Sequence, residues 1–526
     1  MNRPAGLVIS TATLGATELR SAGHSSHSAA LAVARYALDR GHGSFWLDSA
    51  LTAPAGPHDD GARHSILGDA HGGAILSTPA VATPAEAEAA WERLREAAAP
   101  RPVHGGEDLP LRGGLVGFLS YELGVATLGL TPRMPRAGDP AAVPASYWVR
   151  PARWVVVDHQ RGELVCCVAS DAADHASADD AAPSPAESGP VTSPALDAWT
   201  ATVREALRVP HGPANDADAD RAGRTLEPAA EVAGTWREDR AAYTELIERC
   251  QAALHAGDSY ELCLTTRFDV DPSVEVDALE LFAALRSAHP APYAALIEQN
   301  PGPAGEAGFA VVSASPERFL TGQAGQYSTK PIKGTAPRHP DPVQDARIAA
   351  ELAADPKTRA ENLMIVDLLR NDLSRVCVPG SVQVPALMAV ESFASVHQLV
   401  STVTGRARPG LSAVDVAHAL FPGGSMTGAP KRRTVELLSQ WEPAPRGVYS
   451  GTLGFFSADG DCGLSIVIRT AVRTAIAGQD SGSARYTWSI GAGGAIVADS
   501  DPDAEYDEVL LKAAALRRAL NSVARR

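Results

Sequence analysis

Cysteine is scarce in this chain, and the six present (Cys166, Cys167, Cys250, Cys263, Cys377 and Cys462) fall at irregular spacings. That irregularity argues against a disulfide framework or a zinc-ligand set. Cys166 and Cys167 lie inside the apolar run Leu164-Val165-Cys166-Cys167-Val168, so free thiols in the core and no structural metal are expected. Basic charge is short as well: 46 Lys and Arg against 62 Asp and Glu leave a formal net charge of −16. A phosphate backbone calls for a basic stripe, so nucleic acid is not an expected partner. No uninterrupted apolar run reaches the roughly eighteen residues of a membrane span, and the stretch from Met1 to Ala16 lacks a charged region followed by an apolar core. No membrane contact is expected, and the expected location is the cytoplasm.

What the chain does have is ordinary globular composition, 45% hydrophobic and 21% charged, over 526 residues. That length exceeds what one core usually supports, so one large domain or two interlocked ones are expected. Composition divides it into an amino-terminal portion (1–170), a linker or surface insertion (171–230) and a carboxy-terminal portion (231–526). The middle segment is rich in Ala, Asp, Ser and Pro, as in Asp179-Asp180-Ala181-Ala182-Pro183-Ser184-Pro185, with one helical run at 196–209. After it, Thr235 and Glu238 read as a capping box for a helix carrying Tyr243, Ile247, Cys250 and Leu254 and closed by Gly257. Strand-like runs at 260–268, 310–314, 448–456, 464–472 and 486–490 alternate with helical runs at 360–375, 413–419, 431–438 and 504–520, an α/β or α+β pattern built on large sheets.

Several residues stand out chemically. Lys333, in Pro331-Ile332-Lys333-Gly334-Thr335, follows Glu317 of Ala314-Ser315-Pro316-Glu317-Arg318 by sixteen residues. An amine and a carboxyl group together can act as nucleophile and general acid, if burial in the turn lowers the lysine's pKa; a solvated turn lysine is the alternative. Glu361 opens a helical stripe with Ile365, Leu368 and Asp372, and Glu505 and Glu508 lie one turn apart on the final helix. Carboxylates from separate helices are how magnesium is commonly held, although acids in a first helical turn also serve the helix dipole. Gly423-Gly424-Ser425-Met426-Thr427-Gly428 and Gly491-Ala492-Gly493-Gly494 can free backbone N–H groups for an anion or can be plain loops. Arg469 offers a fork for a carboxylate, or is a solvent-facing strand residue.

Taken in order, Gly257 to Leu262, Ser315 to Arg318, Pro331 to Thr335, Glu361 to Leu373, Glu391-Ser392-Phe393, Val396 to Leu399, Gly423 to Lys431, Arg446 to Gly451 and Gly491 to Glu508 resemble the chorismate-utilising enzymes. The similarity extends into the amino-terminal portion at Gly113 to Leu123. Within the family the chain is most similar to members that aminate chorismate at C4. The resemblance implies a β-sandwich of two large antiparallel sheets flanked by helices, with the active site between them. It implies Mg2+ on Glu361 and Glu508 with Glu505 alongside, the metal holding a chorismate carboxylate. Arg469, Tyr449 and the backbone of Gly491, Gly493 and Gly494 would take the side-chain carboxylate, and His397, Ser425, Gly334 and Thr335 would touch substrate elsewhere. Glu317 would protonate the departing C4 hydroxyl while Lys333 attacks C2; the relatives that aminate at C2 carry alanine at that position. Relatives that add water use a lysine where this chain has Glu261. Ammonia would come from a separate glutamine amidotransferase subunit, because the chain shows no glutaminase motif. Trp46-Leu47-Asp48-Ser49 resembles part of a tryptophan pocket found in some relatives.

Overall fold

The computed structural model describes residues 6–49, 63–136, 139, 142–172, 193–209, 232–271, 273–301, 308–393, 396–475 and 486–524. Among these residues two large sheets stack face to face, one of 13 strands, in which Gly428–Ala429 pairs with Glu261–Val270 beside the main order, and one of 10, in which Gln383–Ser392 likewise pairs with Val396–Arg406. The larger runs from Gly234–Trp236 and Glu261–Val270 through Tyr486–Ile496, Thr470–Ala475, Phe309–Ser315 and Tyr293–Gln299. It continues into Ser44–Asp48, His64–Gly68, Arg153–Asp158, Glu163–Asp171, Leu7–Leu14 and Val103–His104. The smaller orders Ile332–Pro337, Val396–Arg406, Gln326–Lys330, Arg318–Gln323, Cys462–Ile466, Thr452–Ser457, Gly114–Leu119, Ser146–Arg150 and Ala74–Thr78. Every named strand pairing is antiparallel except Leu7–Leu14 with Val103–His104. Each sheet therefore draws strands from both halves of the chain, and the two portions interlock.

Strand periodicity explains the layering. Along Phe309–Ser315, Ala310, Val312 and Ala314 face one core while Phe309 and Val311 face another, because successive side chains leave opposite faces of a strand. The first core lies between the larger sheet and the helices Arg240–His255, Ala278–Ala288 and Pro502–Ala524. The second, with Phe118, Tyr147 and Val311, lies between the sheets, and a third joins the smaller sheet to Pro84–Ala97, Pro356–Ser374 and Ala413–Leu420. All six cysteines are buried and unpaired. Among the described residues no helix is long and apolar enough to cross a membrane.

The expected helical run at 196–209 appears as Pro194–Arg208, but it is no part of a loose linker. Its Trp199 is buried, donates from Nε1 to the Trp154 carbonyl at 3.1 Å and carries the Arg153 guanidinium 4.5 Å above its ring. Residues 173–192 and 210–230 of that segment lie outside the described residues. Thr235 does not cap the following helix: it sits in a short strand, and Asp239 accepts from the Ala242 N–H at 2.9 Å instead. Glu238, the expected capping partner, is held by the Thr266 hydroxyl. The run at 448–456 becomes strand only at Thr452, after a turn in which Ser450 has φ of 69°. The run at 464–472 splits into Cys462–Ile466 and Thr470–Ala475, which belong to different sheets, so the chain must cross from one layer to the other between them.

Candidate active site

That crossing opens a gap in the larger sheet. Thr470–Ala475 pairs with Tyr486–Ile496 only as far as Ala471 opposite Ile490, whereas Glu261–Val270 follows the same strand to Leu262 opposite Ile496. Beyond Ile490, among the described residues, no strand pairs with the second edge of Tyr486–Ile496. Gly491 to Gly494 are thus strand residues rather than a loop after a strand. Glycine is required at 491, because a Cβ there would lie 2.2 Å from Cγ of Tyr449, whose buried ring lies against the strand. Gly493 accepts from Lys512 Nζ at 2.8 Å, and Gly494 lies beside Glu505.

Arg469 stands in the crossover itself with φ of 50°. Its carbonyl accepts from Ala314 N at 3.0 Å, while among the described residues its guanidinium has no hydrogen-bond or ion-pair partner. Its outer atoms reach solvent, yet the surrounding protein desolvates the guanidinium enough to lower its pKa.

Lys333 lies in the strand Ile332–Pro337, not in a plain turn. The register against Val396–Arg406 shifts between Ile332 and Thr335, and Gly334 has φ of 83°. A bulge of this kind re-aims a side chain, and a Cβ at Gly334 would lie 2.3 Å from Thr358 Cγ2. Lys333 Nζ donates to Glu261 Oε1 at 2.7 Å. Glu261 is 1% exposed, and its other oxygen is buried without a partner. Burial works to lower the lysine's pKa, but the carboxylates of Glu261 and Glu361 outweigh it and the net shift is upward. The expectation that burial would leave a neutral amine is therefore corrected: the resting group is an ammonium paired with a carboxylate.

Glu317 is buried at the corner between Phe309–Ser315 and Arg318–Gln323, where its carbonyl accepts from Ile466 N at 3.0 Å. Burial raises its pKa to about 7, against the opposing pull of the Ser425 hydroxyl and the Lys333 and Lys512 charges. Near neutrality it holds a proton it can give away. Any step that needs this acid should run at full rate below about pH 7 and slow as the pH rises through that value, since the proton is then lost. The pH profile of turnover checks this. Glu317→Gln should abolish the descending limb along with most of the rate; an unchanged limb would remove Glu317 from the role.

The three expected metal ligands come together with two lysines that the sequence reading missed. Glu505 is buried, accepts from Ser500 Oγ at 2.7 Å and lies 3.4 Å from Lys357 Nζ, which is also 3.9 Å from Glu361 Oε1. Glu508 pairs with Lys512 Nζ at 2.8 Å. Glu361 has its pKa raised, first by burial and then by Glu261 and Glu505, against Lys333 and Lys357. For Glu508 burial works to raise the pKa, but Lys512, joined by Lys357 and Lys333, outweighs it and the pKa falls. The missed signal was spacing: Lys357 precedes Glu361, and Lys512 follows Glu508, by one helical turn. Among the described residues no three acidic, histidine or cysteine side chains already converge on a metal position. The donor set nevertheless fits magnesium, which takes one or two carboxylates and completes its shell with water and substrate oxygens. The mutual repulsion of these carboxylates and the unpartnered Glu261 oxygen both favour a cation nearby.

Other expected contacts are placed differently. His397 is buried with both ring nitrogens engaged, by Ser392 Oγ at 2.8 Å and by Asp345 Oδ1 at 2.9 Å, and Asp345 is in turn held by Arg338 at 2.8 Å. It braces the strand behind the exposed Thr335, which pairs with Gln398. Trp46 is a core side chain, and Asp48 is taken up by Arg286 at 2.9 Å and by the Ser65 hydroxyl at 2.5 Å. Ser49 donates to the Pro292 carbonyl at 2.8 Å, so the polar and aromatic side chains of this stretch are engaged within the fold.

Residues 59–518 match the family described as chorismate binding enzyme, and the chain belongs to that family. It is 39% identical over 500 residues to an aminodeoxychorismate synthase of Streptomyces pristinaespiralis, covering 90% of this chain and 62% of that protein. To aminodeoxychorismate synthase component 1 of Salmonella typhimurium it is 37% identical over 409 residues, covering 77% of this chain and 76% of that one. The solved anthranilate synthase component I of Streptococcus pneumoniae superposes with a TM-score of 0.65 at 26% identity, covering 89% of this chain and 96% of that one. The chain spans 62% or less of the length of several curated relatives that it matches, down to 29%.

Proposed function

We propose that this member of the chorismate binding enzymes aminates chorismate at C4, giving 4-amino-4-deoxychorismate for 4-aminobenzoate and folate synthesis, with ammonia delivered by a separate glutamine amidotransferase subunit. The observation that carries the reading is the Lys333 amine, 2.7 Å from Glu261 and under the field of a protonatable, buried Glu317. The ammonium first passes its proton to Glu261. The freed amine then forms a bond to C2, both ring double bonds shift by one position so that one ends between C4 and C5, and the C4 hydroxyl leaves as water with the Glu317 proton. Ammonia subsequently adds at C4, the electrons move back and the C2–N bond to Lys333 breaks, returning the lysine. Arg469, Tyr449 and the bare edge at Gly491, Gly493 and Gly494 would hold the side-chain carboxylate, with Ser425, Gly334 and Thr335 lining the ring. Glu361 and Glu508, with Glu505 alongside, would hold magnesium, which when bound supplies positive charge that neutralises and orients a substrate carboxylate. The buried, unpaired thiols fit a reducing cytoplasm.

Amination at C2 is the second reading, favoured by the likeness to the anthranilate synthase fold. Product identification with chorismate, magnesium and ammonium salt separates the two. 4-Aminobenzoate should appear only after a lyase is added, whereas anthranilate formed without one would overturn the C4 assignment. Glutamine should replace ammonium only once a glutaminase subunit is supplied, and glutamine turnover by the chain alone would contradict the two-subunit reading. Glu361→Gln and Glu508→Gln keep side-chain size while each removes one anionic ligand. Each should lower turnover by about 10²-fold, with a raised magnesium requirement and an intact fold by circular dichroism. Full activity in both would remove these residues from a metal site.

A further inference from the structure

Lys357 is the second residue of the helix Pro356–Ser374, a poor place for a cation. The helix dipole disfavours positive charge at its N-terminus, and Lys one turn before Glu is the weaker order for a helical ion pair. Helix stability therefore does not account for it; the carboxylates around it do. Its Nζ lies 3.4 Å from Glu505 Oε1, in the first turn of Pro502–Ala524, and 3.9 Å from Glu361 Oε1 on its own helix. One ammonium thus bridges acids from the two helices. Its side chain is 58% exposed, whereas that of Lys333 is 12% exposed, so Lys357 can carry its own charge into water, leaving the buried Glu505 to an incoming cation, and Lys333 cannot.

We propose that Lys357 is a displaceable internal counter-ion. It occupies the cation position among Glu361, Glu505 and Glu508 in the metal-free protein, keeps the first turns of the two helices together, and leaves when a divalent cation binds. This rests on the magnesium assignment above and adds that metal affinity is set by competition with a residue of the chain itself. The lysine lowers that affinity in exchange for a site that does not spring open when empty.

The test is direct binding, independent of turnover. Mg2+ is titrated calorimetrically into the full chain without substrate, with Mn2+ followed by electron paramagnetic resonance as a second probe, for wild type, Lys357→Met and Lys357→Arg. Exposed ion pairs are individually weak, so Lys357→Met should bind roughly three- to tenfold more tightly than wild type, and Lys357→Arg, which keeps the charge, should not. In chelator the melting temperature of Lys357→Met should fall below that of wild type, and saturating Mg2+ should close the difference. Equal or weaker binding by Lys357→Met overturns the counter-ion role while leaving magnesium in place, provided that Glu361→Gln still weakens binding. Absence of metal binding in every chain overturns both.

Discussion

Lys333→Ala is expected to bind chorismate and fail to capture it. The substitution removes the amine but leaves Arg469, the bare strand edge and the carboxylates of the two helices in place, so binding measured by equilibrium titration should change little. Formation of 4-amino-4-deoxychorismate should fall by at least about 10³-fold, as when a covalent nucleophile is lost. Intact-mass analysis of the wild-type chain with chorismate and magnesium, without ammonia, should show an adduct of chorismate less water, and peptide mapping should place it on Lys333. The variant should show none. With the nucleophile gone, ammonia can enter at C2, so traces of the anthranilate-type intermediate are expected. The variant also strands the buried Glu261 carboxylate, a loss on the order of 3–5 kcal/mol for a broken buried pair, which thermal denaturation of the two chains side by side measures. Normal synthesis by the variant, with no adduct on the parent, would reduce Lys333 to an electrostatic helper.

The residues that chemistry singles out by type were legible in the sequence, because a lysine between Pro and Gly, a lone acid after Ser-Pro and paired helical acids are local patterns. Glu317, Lys333, Glu361, Glu505 and Glu508 do fall under one another's electrostatic influence. What local pattern could not supply was their protonation. Lys333 was expected to lose its proton to burial, yet Glu261, 72 positions away along the chain, decides the sign. Strand boundaries failed where tertiary topology overrode alternation. The apolar run at 464–472 gives no hint that its two halves join different sheets, and it is this break that frees both Arg469 and the edge at Gly491. His397 was legible as a motif residue, but not its engagement by Ser392 and Asp345 at both ring nitrogens, because the Asp345 contact crosses from another element. The helix Pro194–Arg208 was legible as a helix; its docking on Trp154 was not, because its low-complexity flanks carry no sign of a core.

Glu261→Gln should separate the two things that Glu261 does to Lys333. As an anion it keeps the lysine charged; as a base it accepts the proton that must leave before the amine can attack. Removing both has opposing consequences, since burial alone would lower the lysine's pKa and favour the free amine. The Glu361 carboxylate still raises it, however, and glutamine cannot take a proton, so the lysine must now lose its proton to bulk solvent through a buried position. Adduct formation at neutral pH should therefore fall by about 10²- to 10⁴-fold, the usual contribution of a positioned base. The profile should change shape as well as height. In wild type the proton moves between partners 2.7 Å apart, so the rate is flat until Glu317 deprotonates near pH 7 and then declines. In Glu261→Gln an ascending limb should appear, the rate climbing with pH until loss of the Glu317 proton overtakes it, which leaves a low maximum displaced to the alkaline side. Glu261→Asp, which keeps the charge on a shorter arm, should recover part of the neutral-pH rate with no ascending limb. A Gln variant that forms adduct at the wild-type rate at pH 7 would mean that burial outweighs Glu361 and that Lys333 needs no acceptor, making Glu261 an anchor for the resting ammonium and nothing more.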